Sequence, residues 1–358
     1  MKDIFFIGSY ANADSSGVYV CEFDRATGEI ALLGSYAGLQ NPTFLAVHEP
    51  SRKLYAITEL AGEDGAKRGA VAAFDIDAGF GLSLLNIAET IPAPTCHVEL
   101  DRTRTALMTA SYHGGMVGMN RIEPDGGVGA SSDVRRHEGA SVHPAQDRPR
   151  AHSVTVDRNN RFAVACDLGA DKIVTYRLDL SAGAMEPVSA VSLAPGAGPR
   201  HFAFHPTLPV GYVINELNAT ITAFAYDESS GALEEIQTVP TLPASYEGEN
   251  ACADVHVSPD GRFLYGSNRG HDSIVVFRID NGGALLLVEH ASVSGRHPRN
   301  FALSPDPDAA YLLAANRDTN DVVVFRRSVV TGRLSEPVSR FSVGKPVCIK
   351  FLNGKTSR

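Results

Sequence analysis

The apolar positions of this chain fall into short alternating runs, each closed by a turn, and the runs recur. One recurring segment reads apolar, any, apolar, Phe or Tyr, then an acid or turn, then Gly and further alternation. It occurs as VYVCEFDRATGEIALL from Val18, VAAFDIDAGFGLSLL from Val71, IVTYRLDLSAGAMEPV from Ile173, ITAFAYDESSGALEEI from Ile221, IVVFRIDNGGALLLV from Ile274 and VVVFRRSVVTGRLSEPV from Val322. A weaker copy, VGMNRIEPDGGVGA, starts at Val117. Period-two alternation on both sides of a Gly-containing turn predicts a β-hairpin in each case.

A second kind of hairpin precedes most of these segments. It is seen in NPTFLAVHEPSRKLYAITEL, APTCHVELDRTRTALMTASY, RAHSVTVDRNNRFAVACDL, PRHFAFHPTLPVGYVINEL, CADVHVSPDGRFLYGSNR and PRNFALSPDPDAAYLLAANR. Their turns hold Pro, Asp, Asn and Gly, residues that pre-set or tolerate turn dihedrals. The seventh copy is split, with KPVCIKFL at the C-terminal end supplying one strand and IFFIGSY at the N-terminal end the other. Seven units in 358 residues is about 51 per unit, the size of a propeller blade. The predicted fold class is therefore all-β: a seven-bladed β-propeller with four antiparallel strands per blade, forming one domain over residues 1–358. A blade shared between the two terminal strands closes the ring and removes a free sheet edge.

This architecture sorts the polar residues. The innermost strand of a blade and the next one form a hairpin, so the entrance to the first and the exit from the second lie on one face. The entrances hold Asn41, Pro94-Thr95-Cys96-His97, Arg150-Ala151-His152, Pro199-Arg200-His201, Cys252-Ala253-Asp254 and Pro298-Arg299-Asn300. The exits hold Tyr10, Glu59, Tyr112-His113, Asp167, Asn215-Glu216, Asn268-Arg269 and Asn316-Arg317. The opposite face gathers turn residues such as Ser258-Pro259-Asp260-Gly261, and His48 and His205 fall there as structural residues.

Structural roles compete with functional ones at each position. His97 and His201 could simply hold strand ends, Asp167 could accept from loop amides, and Glu59 or Glu216 could merely pair with an arginine. Arg269 and Arg317 occupy the same repeat position after Asn, which is also compatible with a shared structural feature. Against these readings, charged groups gathered at a channel mouth are costly unless paired or used. The longest segment on this face, from Ser131 to Arg150, carries His137, His143, Asp147, Arg148 and Arg150 and reads as a loop.

Composition removes several function classes. Apolar residues make up 44% and charged residues 20%, with a net charge of −9 and no basic block, so nucleic acid is not an expected partner. The N-terminal apolar run is too short for a signal segment or a membrane span, which gives a cytoplasmic expectation. The five cysteines are scattered, without a CxxC, and read as buried free thiols. There is no GxSxG nucleophile elbow and no HExxH or paired-Cys zinc pattern. No cofactor is expected, although a calcium site built from Glu59, Glu216 and exit-strand Asn and Asp stays open. Trp is absent and no Trp-Asp dipeptide recurs, which argues against an interaction propeller of that class. A mixture of His, Arg and Glu suits proton transfer on an anionic substrate.

RAHSVTVDRNNRFAVACDLGADKI, GPRHFAFHPTLPVGYVINEL and SPDGRFLYGSNRGHDSIVVF resemble the seven-bladed propeller lactonases, over essentially the whole chain. That family includes propeller-type 6-phosphogluconolactonases and a fungal carboxy-muconate lactonising enzyme. The resemblance implies hydrolysis of a sugar-acid lactone, 6-phosphogluconolactone of the pentose phosphate pathway, with muconate cycloisomerisation, another sugar lactone or a non-catalytic binding propeller as alternatives. It implies His152, Arg200, Glu216 and Arg269 as catalytic residues. His152 would activate water, the arginines would bind phosphate or oxyanion, and Glu216 would orient His152 or an arginine. His201, His97, Glu59, Tyr112, Asp167, Arg150 and Arg317 are the expected substrate-binding residues, in a monomer or weak homo-oligomer.

Overall fold

The computed structural model describes residues 1–63 and 65–352. Its described residues form seven four-stranded antiparallel sheets. Six are contiguous in sequence, the first being Leu45–His48, Lys53–Ala61, Lys67–Ile76 and Leu82–Ile91. The innermost strands of blades two to six are His97–Leu100, Ala151–Val156, Pro199–Phe204, Ala251–Val257 and Pro298–Leu303. Blade seven is the split one: Pro346–Phe351 pairs with Lys2–Ser9, which pairs in turn with Ser16–Asp24 and then Ile30–Ala37. The innermost strands contact one another in sequence around a closed ring.

The core lies between blades. One buried cluster joins Phe5, Ile7 and Phe23 of blade seven to Tyr311, Leu313 and Val324 of blade six, and similar clusters join blades two to three, four to five and five to six. This is why the middle strands read as apolar on both faces, whereas the outermost ones, such as Ile30–Ala37, bury few positions. Tyr55, Tyr212 and Tyr265, at equivalent positions in second strands, each donate a hydroxyl to a turn carbonyl of the following blade: Gly126 at 2.9 Å, Gly283 at 3.0 Å and Gly332 at 2.8 Å. The weak repeat also forms a hairpin, Met116–Ile122 with Val128–Arg136. Asn120, fully buried where other copies place an aromatic, donates from Nδ2 to the carbonyls of Glu89 and Gly129.

The segment from Ser131 to Arg150 departs from its expected loop character. Residues up to Arg136 belong to the outer strand of blade two, so the connection begins at His137. It is tethered: His137 lies between the Asp167 carboxylate (2.7 Å) and the Tyr176 hydroxyl (2.8 Å). Buried Gln146 donates to Leu168 O and Asp171. On the opposite face, His205 accepts from the amides of Thr207 and Leu208 and contacts Gly261 O, a structural role as expected.

Candidate active site at the channel mouth

A cavity of about 300 Å³ opens at the face where inner strands begin. Tyr10, Asn41, Phe44 and Glu59 line one side; Cys96, Tyr112, His152, Arg200, His201, Glu216 and Arg299 line the rest.

Strand register explains how several of these side chains reach it. In blade three Ala151 pairs with Asp167 and Ser153 with Cys166, leaving His152 as an extra residue. The same bulge leaves Arg200 between Pro199 and His201, and Arg299 between Pro298 and Asn300. In blade seven it leaves Val347, another cavity residue. A bulge places two consecutive residues opposite one and re-aims a side chain out of the ladder. One backbone device, repeated around the ring, thus presents His152, Arg200, Arg299 and Val347 to a common space.

The charged centre is built around Glu216. Its Oε2 lies 2.9 Å from Arg200 Nε and 2.8 Å from Arg269 Nη2. Burial pushes the Glu216 carboxyl up, but Arg269, Arg200 and Arg299 outweigh it and hold the group below its ordinary value. Burial, then Arg299 and Arg269, brings the Arg200 guanidinium down to about 9, still protonated at neutral pH. Arg200 Nη1 donates to Ala253 O and approaches His201 Nε2 at 3.2 Å. Arg269 donates to the carbonyls of Ala251 (3.0 Å) and Cys252 (2.7 Å).

The two cavity histidines differ in freedom. His201 Nδ1 is 2.7 Å from Asp254 Oδ1, and the same carboxylate meets His256 Nε2 at 2.8 Å and the Asn300 amide. Nδ1–H therefore donates to Asp254, and Nε2 is left to accept from Arg200. Both nitrogens of His201 are engaged. Among the described residues His152 has no hydrogen-bond partner at either ring nitrogen; Nδ1 is buried, and the residue lines the cavity. Burial, then the charges of Arg200 and His201, lowers its basicity well below the usual histidine range, so the ring is neutral at pH 7. Its ring centroid stands 5.4 Å from that of His201 and 5.7 Å from that of Tyr112.

The other expected residues divide. Glu59 and Tyr112 line the cavity, but Glu59 is paired with Lys67 at 2.7 Å and accepts from Asn41 at 2.9 Å. Four residues do not reach it. His97 is buried behind the wall, with its ring 4.3 Å from Phe44. Arg150 lies behind Tyr112, its guanidinium 4.7 Å from the ring centre, and pairs with Asp147. Asp167 is fully buried and accepts from the amides of Arg150 and Ala170, so it holds a blade corner. Arg317 turns outward to Asp318, its neighbour in sequence, whereas its repeat-mate Arg269 is followed by Gly270 and turns inward to Glu216. Arg269 touches the centre through Glu216 rather than through the cavity wall. Glu216 pairs with arginines, not with His152.

Four cysteines are buried, but Cys96 lies on the cavity wall. Burial pushes its thiol up to about 11, and Sγ lies 3.3 Å from the His152 carbonyl, so it is a neutral wall atom rather than a nucleophile. Among the described residues no group of three or more His, Cys, Asp or Glu is placed to hold a metal ion. No helix among them is long and apolar enough to cross a membrane.

A propeller whose channel mouth carries a neutral histidine beside a buried arginine–glutamate centre is suited to opening an activated ester. The chain belongs to the seven-bladed β-propeller lactonase family, whose model matches residues 4–351. It is 37% identical over 355 residues to the 6-phosphogluconolactonase of Bacillus subtilis, covering 98% of this chain and 99% of that one. It is 33% identical over 340 residues to the 6-phosphogluconolactonase of Formosa agariphila, covering 92% and 94%. The solved structure of a periplasmic gluconolactonase from Pseudomonas aeruginosa superposes with a TM-score of 0.91 at 29% identity, covering 98% and 99%.

Proposed function

We propose that the protein hydrolyses a sugar-acid lactone, 6-phosphogluconolactone, to the open acid, as a step of the pentose phosphate pathway. The observation that carries this reading is the contrast between the histidines. His201 has both nitrogens committed, while His152, with neither nitrogen paired among the described residues, lines the cavity that Arg200 also enters.

Water gives a proton to His152 Nε2 as its oxygen attacks the lactone carbonyl carbon. The carbonyl electron pair moves onto oxygen, facing the Arg200 guanidinium, which is ion-paired with Glu216. Collapse breaks the ring C–O bond, and the imidazolium returns the proton to the departing alkoxide. Neutral His152 is the form that can start this sequence. A cytoplasmic setting agrees with five cysteines that are all free thiols.

The test is a panel of 6-phosphogluconolactone, gluconolactone and a muconate lactone, each measured against its spontaneous reaction. Turnover of the phosphorylated lactone, reduced about 10²-fold or more in His152→Ala with the fold retained, is the expected result. Turnover of the muconate alone would replace this reading with cycloisomerisation, and an unchanged rate in the variant would remove His152 as the base.

A further inference from the structure

We infer that Arg299 receives the second charged group of the substrate, a phosphate or carboxylate carried at the end of the molecule away from the lactone carbonyl. This rests on the lactone reading above and names a residue outside the four that the family motifs imply.

Three arginines surround the charged centre, and two are already committed. Arg200 and Arg269 share the Glu216 carboxylate and donate to backbone carbonyls. Arg299 has no carboxylate partner and no hydrogen-bond acceptor among the described residues; its guanidinium carbon lies over the Tyr10 ring, 5.9 Å from the ring centre. It is nonetheless a cavity residue. Its placement comes from the bulge that also presents His152 and Arg200, while the next residue, Asn300, points to Asp254. An unpartnered cation delivered to a concave site by the same device as the reacting groups is built to meet a ligand.

Charge balance points the same way. Glu216 and, behind His201, Asp254 supply two negative charges against three guanidinium groups, and the other cavity carboxylate, Glu59, is paired with Lys67. The surplus acts on the site itself, since Arg299 is the leading charge that destabilises protonated Arg200. An anionic ligand removes that repulsion. Arg299 belongs to blade six and faces Tyr10 of blade seven, whereas His152 and Arg200 belong to blades three and four. A substrate with its reacting carbonyl at the latter pair therefore extends its distal anion across the mouth toward blades six and seven.

The test compares wild type, Arg299→Gln and Arg299→Lys on 6-phosphogluconolactone and on unphosphorylated gluconolactone. In Arg299→Gln, kcat/KM for the phosphorylated lactone should fall roughly 10- to 100-fold more than for the plain one, mainly through KM, the scale of one or two charge-assisted hydrogen bonds. Arg299→Lys should recover part of the preference. Equal losses on both substrates would overturn the assignment. A second readout does not need turnover: 6-phosphogluconate should raise the melting temperature of wild type and raise that of Arg299→Gln much less. If wild type hydrolyses no lactone yet shows this difference, the lactonase reading fails and the anion site stands. An equal rise in both proteins, or none in wild type, removes the anion site.

Discussion

Arg200 Nε and Glu216 Oε2 stand 2.9 Å apart because one hairpin of blade four begins with the arginine and ends beside the glutamate. The antiparallel register makes neighbours of residues that are distant along the chain, and Arg269 of blade five closes on the same oxygen. Replacing Glu216 by Gln leaves two buried guanidinium groups without their carboxylate. Loss of one partner from such a buried network costs about 3–5 kcal/mol. Denaturant unfolding should show a fall of that order, together with loss of activity. The double variant Glu216→Gln/Arg269→Gln should be less destabilised than the sum of the single variants, because it removes one of the two unmatched charges. Simple additivity would mean that the three groups do not act as a unit.

The pH dependence of turnover follows from His152. Burial, Arg200 and His201 shift it well below 6.5, so the neutral base persists as pH falls through that value. The acid limb of kcat/KM should therefore lie below pH 6.5. An unphosphorylated lactone is the substrate to use, since a phosphate monoester itself titrates near about 6. A limb centred at or above 6.5 would assign the base to another group.

Asp254 governs Arg200 at one remove. It fixes the Nδ1–H form of His201, which turns Nε2 toward Arg200. Asp254→Asn should lower kcat by about tenfold or more and change the ring nitrogen shifts of His201, which report its tautomer. Unchanged shifts would show that the imidazole is held by packing alone.

The tyrosine tethers between blades offer a test of the ring. Tyr55→Phe and Tyr212→Phe each remove one buried hydrogen bond to a neighbouring blade, whereas Tyr265→Phe removes two, because that hydroxyl also accepts from Arg327 Nε at 2.7 Å. The first two should each cost about 1–2 kcal/mol and Tyr265→Phe more, since it also leaves buried Arg327 Nε without its acceptor; the three should add, because they join different blade pairs. Thermal unfolding of the singles and the triple variant measures this.

The propeller was legible in the sequence because a repeat multiplies a weak signal. Val117 begins a segment that would be ambiguous alone, yet its spacing makes it a blade strand, and buried Asn120 meets the lost aromatic by bonding backbone carbonyls. The face bearing the site was legible for the same reason. Partnership was not. Arg269 and Arg317 look identical in the repeat, and what separates them is the acid each can reach, Glu216 across a blade boundary or Asp318 next in line. Arg299 stood among the entrance residues with no mark of distinction, because the bulge that re-aims it belongs to strand pairing rather than to composition. Asp167 and Arg150 were placed on the correct rim but serve its architecture.

The split blade has a consequence for how the molecule is made. Lys2–Ser9 leaves the ribosome about 340 residues ahead of its inner partner, Pro346–Phe351. At about 5–20 residues per second that is a wait of roughly 20–70 s. Throughout it, one side of Lys2–Ser9 has no mate, and the channel mouth lacks Val347 from the same late strand. Six blades can stack beforehand, but the enzyme gains its sealed wall only once the inner strand of blade seven has emerged.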